Sequence, residues 1–185
     1  MITQGHHLVL GELTDFISGE VLMDTHDERL RQRVAKVLVN AKGYAKAEIV
    51  SRSPLRVAAG DQCAIINIDF MVNLKKKVSL LVKYGPGSLV TRRRPALGIS
   101  RLVVPYQVPV VVVTNGENAE VLEGISGNLI GTGFGSIPSR TELIERIECL
   151  GSVAIAPERA RMEARIVYAF EVDGSCPCDD TICRL

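Results

Sequence analysis

Apolar residues recur along this chain at two spacings, and the switches between them mark its elements. From Ile65 to Gly87 the spacing is two, the signature of two strands and a tight turn. If Lys75, Lys76 and Lys77 form a three-residue loop, Leu74 faces Val78, Met71 faces Leu81 and Asp69 faces Lys83. Ile66, Ile68, Phe70, Val72 and Leu74 then share an apolar face with Val78, Leu80, Val82 and Tyr84, while Asn67, Asp69, Asn73, Ser79 and Lys83 share the other. Shorter strands are predicted at Glu48 to Val50 and Pro54 to Ala58. Val108 to Thr114 is apolar on both faces and ends at Asn115-Gly116, which predicts a central strand buried from both sides. Glu120 to Leu122 and Leu129 to Ile130 predict a short edge hairpin.

The helical spacing begins at Thr25, which forms a capping box with Glu28; Leu30, Val34, Val37, Leu38 and Ala41 follow on one face until Gly43. Arg29, Arg31, Arg33 and Lys36 fall on its outer face. A second helix starts at Ser88 or Thr91 and runs to about Val104, with Pro95 constraining its start. Ser139 and Glu142 cap a third, with Leu143, Ile147 and Leu150 as its inner stripe. Pro157 opens the last, whose expected apolar face is Met162, Ile166 and Ala169 or Phe170, with Arg159, Arg161, Glu163 and Arg165 in water. A strand, a helix and a second buried strand make a crossover, so the fold class is α/β: a mixed central sheet flanked by helices, with further helices at the C-terminal end. The divisions are an N-terminal segment (1–24), a core (25–137), C-terminal helices packed on it (138–172) and a cysteine-rich tail (173–185).

At 185 residues, 46% of them hydrophobic, the chain holds one domain with a real core. Its longest apolar run, Val108 to Val113, is far below the roughly 20 residues of a bilayer span. His6, His7, Glu12 and Asp15 interrupt any signal-peptide core, so a cytoplasmic location is expected. The net charge of +1 conceals a segregation: between Phe70 and Gly116 there is no Asp or Glu but eight basic residues, Lys75, Lys76, Lys77, Lys83, Arg92, Arg93, Arg94 and Arg101. Such a block suits a polyanion, most simply nucleic acid. Three arginines at the positive end of a helix dipole point the same way.

Five cysteines without a secretion signal argue for reduced thiols or a metal. Cys176, Cys178 and Cys183 give half a zinc site, so the tail reads first as thiol-bearing and second as a metal site completed by Cys63, Cys149, a histidine or another chain. Asp69 beside Lys83 fits either a nuclease-type centre or a cross-strand ion pair, and Glu28 fits either an auxiliary acid or a cap.

Asp27 to Gln32, Lys42 to Tyr44, Ile68 to Phe70, Lys83 to Ser88, Arg92 to Arg101 and Val108 to Gly116, in that order, resemble the N-terminal nuclease domain of the R subunit of type I restriction enzymes. The resemblance spans roughly residues 20 to 140. It implies a restriction-endonuclease-like fold, magnesium-dependent cleavage of DNA, and partner restriction subunits or self-association. Asp69 matches the first metal-binding carboxylate, Lys83 the catalytic lysine and Glu28 the helix acid. The acid expected two residues before the lysine is replaced by Leu81, which cannot coordinate magnesium. The expected function is therefore a DNA-binding, nuclease-like domain with weak or no cleavage. An active endonuclease with a rearranged acid and an assembly protein are the alternatives.

Overall fold

The computed structural model describes residues 8–149, 153–174 and 182–184; His6, His7, Leu150, Cys176 and Cys178 lie outside them. The chain opens with a two-stranded hairpin, β1 (Glu12–Thr14) and β2 (Val21–Met23). Thr25 then caps α1 (His26–Lys36), its hydroxyl accepting from the Glu28 amide at 3.1 Å, and a π-helical turn at Val37–Ala41 leads to Gly43 at φ 75°. Only half of the expected capping box forms. The Glu28 carboxylate is drawn instead to Gln32 and Arg52.

The two short strands predicted after this helix are one, β3 (Ile49–Ala59). Pro54 is tolerated because β3 is an edge strand whose one ladder among the described residues is with β4 (Gln62–Leu74). β4 turns back into β5 (Lys77–Tyr84) with Met71 opposite Leu81, as the alternation predicts. The turn is tighter than the expected three-residue loop. Lys75 and Lys76 alone form it, at φ 49° and 62°, and Leu74 faces Lys77, with the odd residue absorbed by an irregularity at Val72/Asn73. Nor does one apolar face run the length of β4. Ile66 and Ile68 pack with Met71 and Leu81, whereas Phe70, Val72 and Leu74 join the opposite core. The changeover lies level with Arg52, whose φ of 50° interrupts the β3–β4 ladder between Ser51 and Ser53.

From Ser88 the chain enters α2 (Leu89–Ser100), which contains Pro95 and ends before Val104, and crosses to β6 (Val110–Thr114). β6 is buried throughout and lies parallel to β5. β7 (Ala119–Glu123) and β8 (Leu129–Thr132) complete the sheet as the predicted edge hairpin. α3 (Arg140–Cys149) has its full capping box: the Ser139 amide donates to Glu142 at 2.7 Å and the Glu142 amide to the Ser139 hydroxyl at 3.3 Å. α4 (Pro157–Val167) continues as a π-helical turn at Tyr168–Asp173, and β9 (Cys183–Arg184) pairs with Ile65 and Ala64 of β4.

The described strands β3 to β8 lie in sequence order, with β9 beside the free half of β4. One face carries Val34, Ala35 and Leu38 of α1 and Leu143 of α3; the other carries Ala96, Leu97 and Ile99 of α2 and Val167, Tyr168 and Val172 from α4 and its extension. The last helix is turned from its expected phase. Met162 and Phe170 are exposed, while Glu163, Val167, Tyr168, Glu171 and Val172 face inward. Two carboxylates thus enter the interior where the hydropathy pattern placed water.

The loop after β7 is fixed by close backbone approach. A Cβ on Gly124 would lie 1.8 Å from the Val108 carbonyl oxygen, and the Gly124 amide donates to Pro109 at 2.8 Å. Gly124→Ala should destabilise the fold by about 3 kcal/mol or more in urea unfolding. Gly135→Ala, where a methyl group meets nothing within 4 Å, should change it by under about 0.5 kcal/mol.

Candidate functional site: a buried seam of alternating charge

Three chain segments meet at the carboxyl end of β5. β4 brings Asp69 there, β5 brings Lys83 and α1 brings Glu28, so the three residues singled out from sequence do converge. Asp69 is buried, and both its oxygens are occupied. Oδ1 accepts from Arg31 Nε at 2.7 Å; Oδ2 accepts from the Tyr84 amide at 2.8 Å and lies 3.6 Å from Lys83 Nζ. Burial by itself would raise the Asp69 pKa. The charges of Lys83 and Arg31, with hydrogen bonds from Arg31 and the Tyr84 amide, outweigh it and hold the carboxyl below its ordinary 3.8.

Lys83 is pulled from two sides. Besides Asp69, its ammonium lies 3.2 Å from Glu171 Oε2 and donates to the Asn67 carbonyl at 3.0 Å. Burial works against its charge, but Asp69 and Glu171 keep its pKa above the ordinary 10.5. Arg31 bridges the other way. Its NH1 is 3.8 Å from Glu28 Oε2, and its guanidinium lies over the Tyr84 ring, 4.7 Å from the centroid. Glu28 Oε1 in turn accepts from Arg52 NH2 at 2.6 Å, and Arg52 NH1 pairs with the buried Asp15. The result is a continuous seam: Asp15, Arg52, Glu28, Arg31, Asp69, Lys83, Glu171. Signs alternate along its whole length.

Four of those seven members are absent from the sequence-derived set. Arg31, expected on the outer face of α1, instead shares the face of Glu28 three residues before it and turns inward onto Asp69. Arg52 was hidden in an interrupted strand. Glu171 was hidden by the phase of the last helix, and its Oε1 is the one buried side-chain polar atom without a hydrogen-bond partner among the described residues.

Magnesium is the cofactor implied by the resemblance, and the donors at the family's positions do not fit it. A hard divalent cation needs open carboxylate oxygens. Asp69 has both taken by protein donors, and Leu81, where a second carboxylate would stand, is fully buried in the apolar core behind the sheet. No cluster of three or more metal-ligating side chains forms among the described residues. Of the tail cysteines, read first as thiol-bearing and second as half a zinc site, Cys183 is described and is an exposed free thiol, as is Cys149.

The basic block is divided by the sheet. Lys75, Lys76 and Lys77 lie at the turn end of β5, roughly 20 Å from its carboxyl end, where Arg92, Arg93 and Arg94 enter on α2. Acids from outside the block meet most of these charges. Lys75 pairs with Glu148, Arg93 with Glu120 at 2.6 Å, and Lys77 lies over the Tyr106 ring. Glu163, fully buried, receives Arg94 at 2.5 Å, Arg101 at 2.8 Å and Arg159 at 2.6 Å.

Because the folded Asp69 pKa lies below its unfolded value, its contribution to stability is complete above about pH 4. It is lost as pH falls through the folded value. Asp69→Asn should therefore lose about 3–5 kcal/mol at pH 7, through uncompensated Arg31 and Lys83, and show a shallower decline of stability below pH 4 than the wild type. Urea unfolding at stepped pH measures both.

Two comparisons with known proteins return a match. The crystal structure of the type IIG restriction endonuclease BpuSI aligns with 81% of this chain at 16% identity and a TM-score of 0.37, and the chain spans 17% of that protein's length. No curated protein matches. The model of the type I restriction enzyme R protein N terminus matches residues 26–138, more than half of the sequence and all of the sheet from β3 to β8. By that match the chain belongs to the family of type I restriction enzyme R protein N-terminal domains.

Proposed function

We propose that this domain binds DNA at the carboxyl end of β5 and β6, and that its Asp69 centre cleaves weakly or not at all. Parallel strands present ligands at their carboxyl ends, and here that end also receives the start of α2. The first turn of α2 holds no acid, and Arg92 stands beside Gly85 and the Gly85-Pro86-Gly87 loop. The observation that carries the reading on cleavage is the saturation of Asp69 by Arg31, Lys83 and the Tyr84 amide. A cation would have to displace two half-buried, paired positive charges to reach it.

A second reading, an active magnesium-dependent endonuclease with a rearranged acid, draws on Glu171. Its carboxylate reaches Lys83 from outside the family's motif and has one oxygen without a partner among the described residues.

The two readings part on measurement. Under the first, Arg92→Ala weakens binding to a short duplex about tenfold and lowers the slope of log affinity against log salt by about 1, whereas Lys76→Ala does neither. A chelator leaves binding unchanged, and wild-type protein with magnesium nicks plasmid no faster than Asp69→Asn. Magnesium-dependent nicking lost in both Asp69→Asn and Glu171→Gln would establish the second reading in its place.

A further inference from the structure

We infer that the Arg31 guanidinium occupies the position, and supplies the positive charge, that a divalent cation would otherwise have between Glu28 and Asp69. This inference rests on the reading that the Asp69 centre is not a cation site in the wild-type chain. Two carboxylates from different elements, one on α1 and one on β4, share Arg31: Nε is 2.7 Å from Asp69 Oδ1 and NH1 is 3.8 Å from Glu28 Oε2. Neither carboxylate has another cation on those two oxygens, since Lys83 lies against Asp69 Oδ2 and Arg52 against Glu28 Oε1.

The guanidinium is also fixed in place. Tyr84 lies beneath it at 4.7 Å, and the Tyr84 hydroxyl donates to Asp27 at 2.9 Å. A planar group with donors on two edges can hold two carboxylates at once, a bridging task that an ion performs through oxygen coordination. Magnesium is commonly held by one or two carboxylates and completes its shell with water, so the pair that Arg31 now satisfies is of the right kind and number. The difference lies in exchange. An ion can leave, be chelated or be replaced, whereas a side chain stays with the fold.

Removing the guanidinium should therefore restore a cation site. Manganese serves as the probe, with bound ion counted by loss of its free-ion paramagnetic resonance signal and thermal unfolding followed in parallel. Wild-type protein is expected to bind no manganese. Arg31→Ala is expected to bind one equivalent and to gain about 4 °C or more in Tm at saturating ion, both effects disappearing in the Arg31→Ala, Asp69→Asn double variant. Arg31→Gln, which keeps a donor for Asp69 but no charge, is the second variant should the alanine form fail to fold, and the same gain is expected of it. Manganese binding by the wild type that Asp69→Asn abolishes would overturn this inference and the reading beneath it. Absence of binding in the wild type and in whichever Arg31 variant folds would overturn this inference alone.

Discussion

A buried carboxylate with a protein donor on each of its oxygens is the constraint around which this domain is arranged. Asp69 sits in the interior of a mixed sheet, where an unpaired charge would cost several kcal/mol. Its two cations are themselves buried enough to need second partners, and those partners need others. Propagation of that requirement yields the seam from Asp15 in the N-terminal hairpin loop to Glu171 in the last helical turn. Six parts of the chain are tied by it: that hairpin, α1, the three strands β3, β4 and β5, and the C-terminal helix. An interruption such as the left-handed Arg52 costs about 1–2 kcal/mol in backbone conformation, and the two carboxylates its side chain reaches offset it.

Much of the fold was legible because apolar spacing is a strong, local signal. The uninterrupted valines of β6 announced a strand covered on both faces, and the Ser139–Glu142 and Thr25–Glu28 pairs located two helix starts within a residue. The hairpin register was right at Met71 and Leu81. Its turn was not, because two successive lysines in left-handed conformation leave no compositional trace of the kind that Asn-Gly would. The last helix was misphased for a related reason. Hydropathy assigns glutamate to solvent, so Glu163 and Glu171 could not be seen as interior until Arg94, Arg101, Arg159 and Lys83 were found waiting for them.

The site shows the same division. Asp69, Lys83 and Glu28 were identified as residues of one motif, and the fold brings them to one place. Their partners were invisible, since ion pairing between segments tens of residues apart has no periodicity. The basic block between Phe70 and Gly116 illustrates the limit most clearly. Read linearly it is a run of uncompensated positive charge; in three dimensions Glu120, Glu148, Glu163, Glu171 and Asp69 return from both sides to meet it. Arg92, beside the loop that follows β5, has no acid partner among the described residues.

The helix after Pro157 places Glu163 and Glu171 on the core from beyond residue 138, where the family match ends. The segment that the family model matches is thus completed in this chain by charges and apolar side chains from outside it. A version cut at that boundary would keep every strand from β3 to β8 yet leave Arg94 and Arg101 without Glu163 and Lys83 with Asp69 alone, and uncover the apolar surface beneath Val167 and Val172. Acids that the stretch from Phe70 to Gly116 lacks are supplied in part by the C-terminal helix.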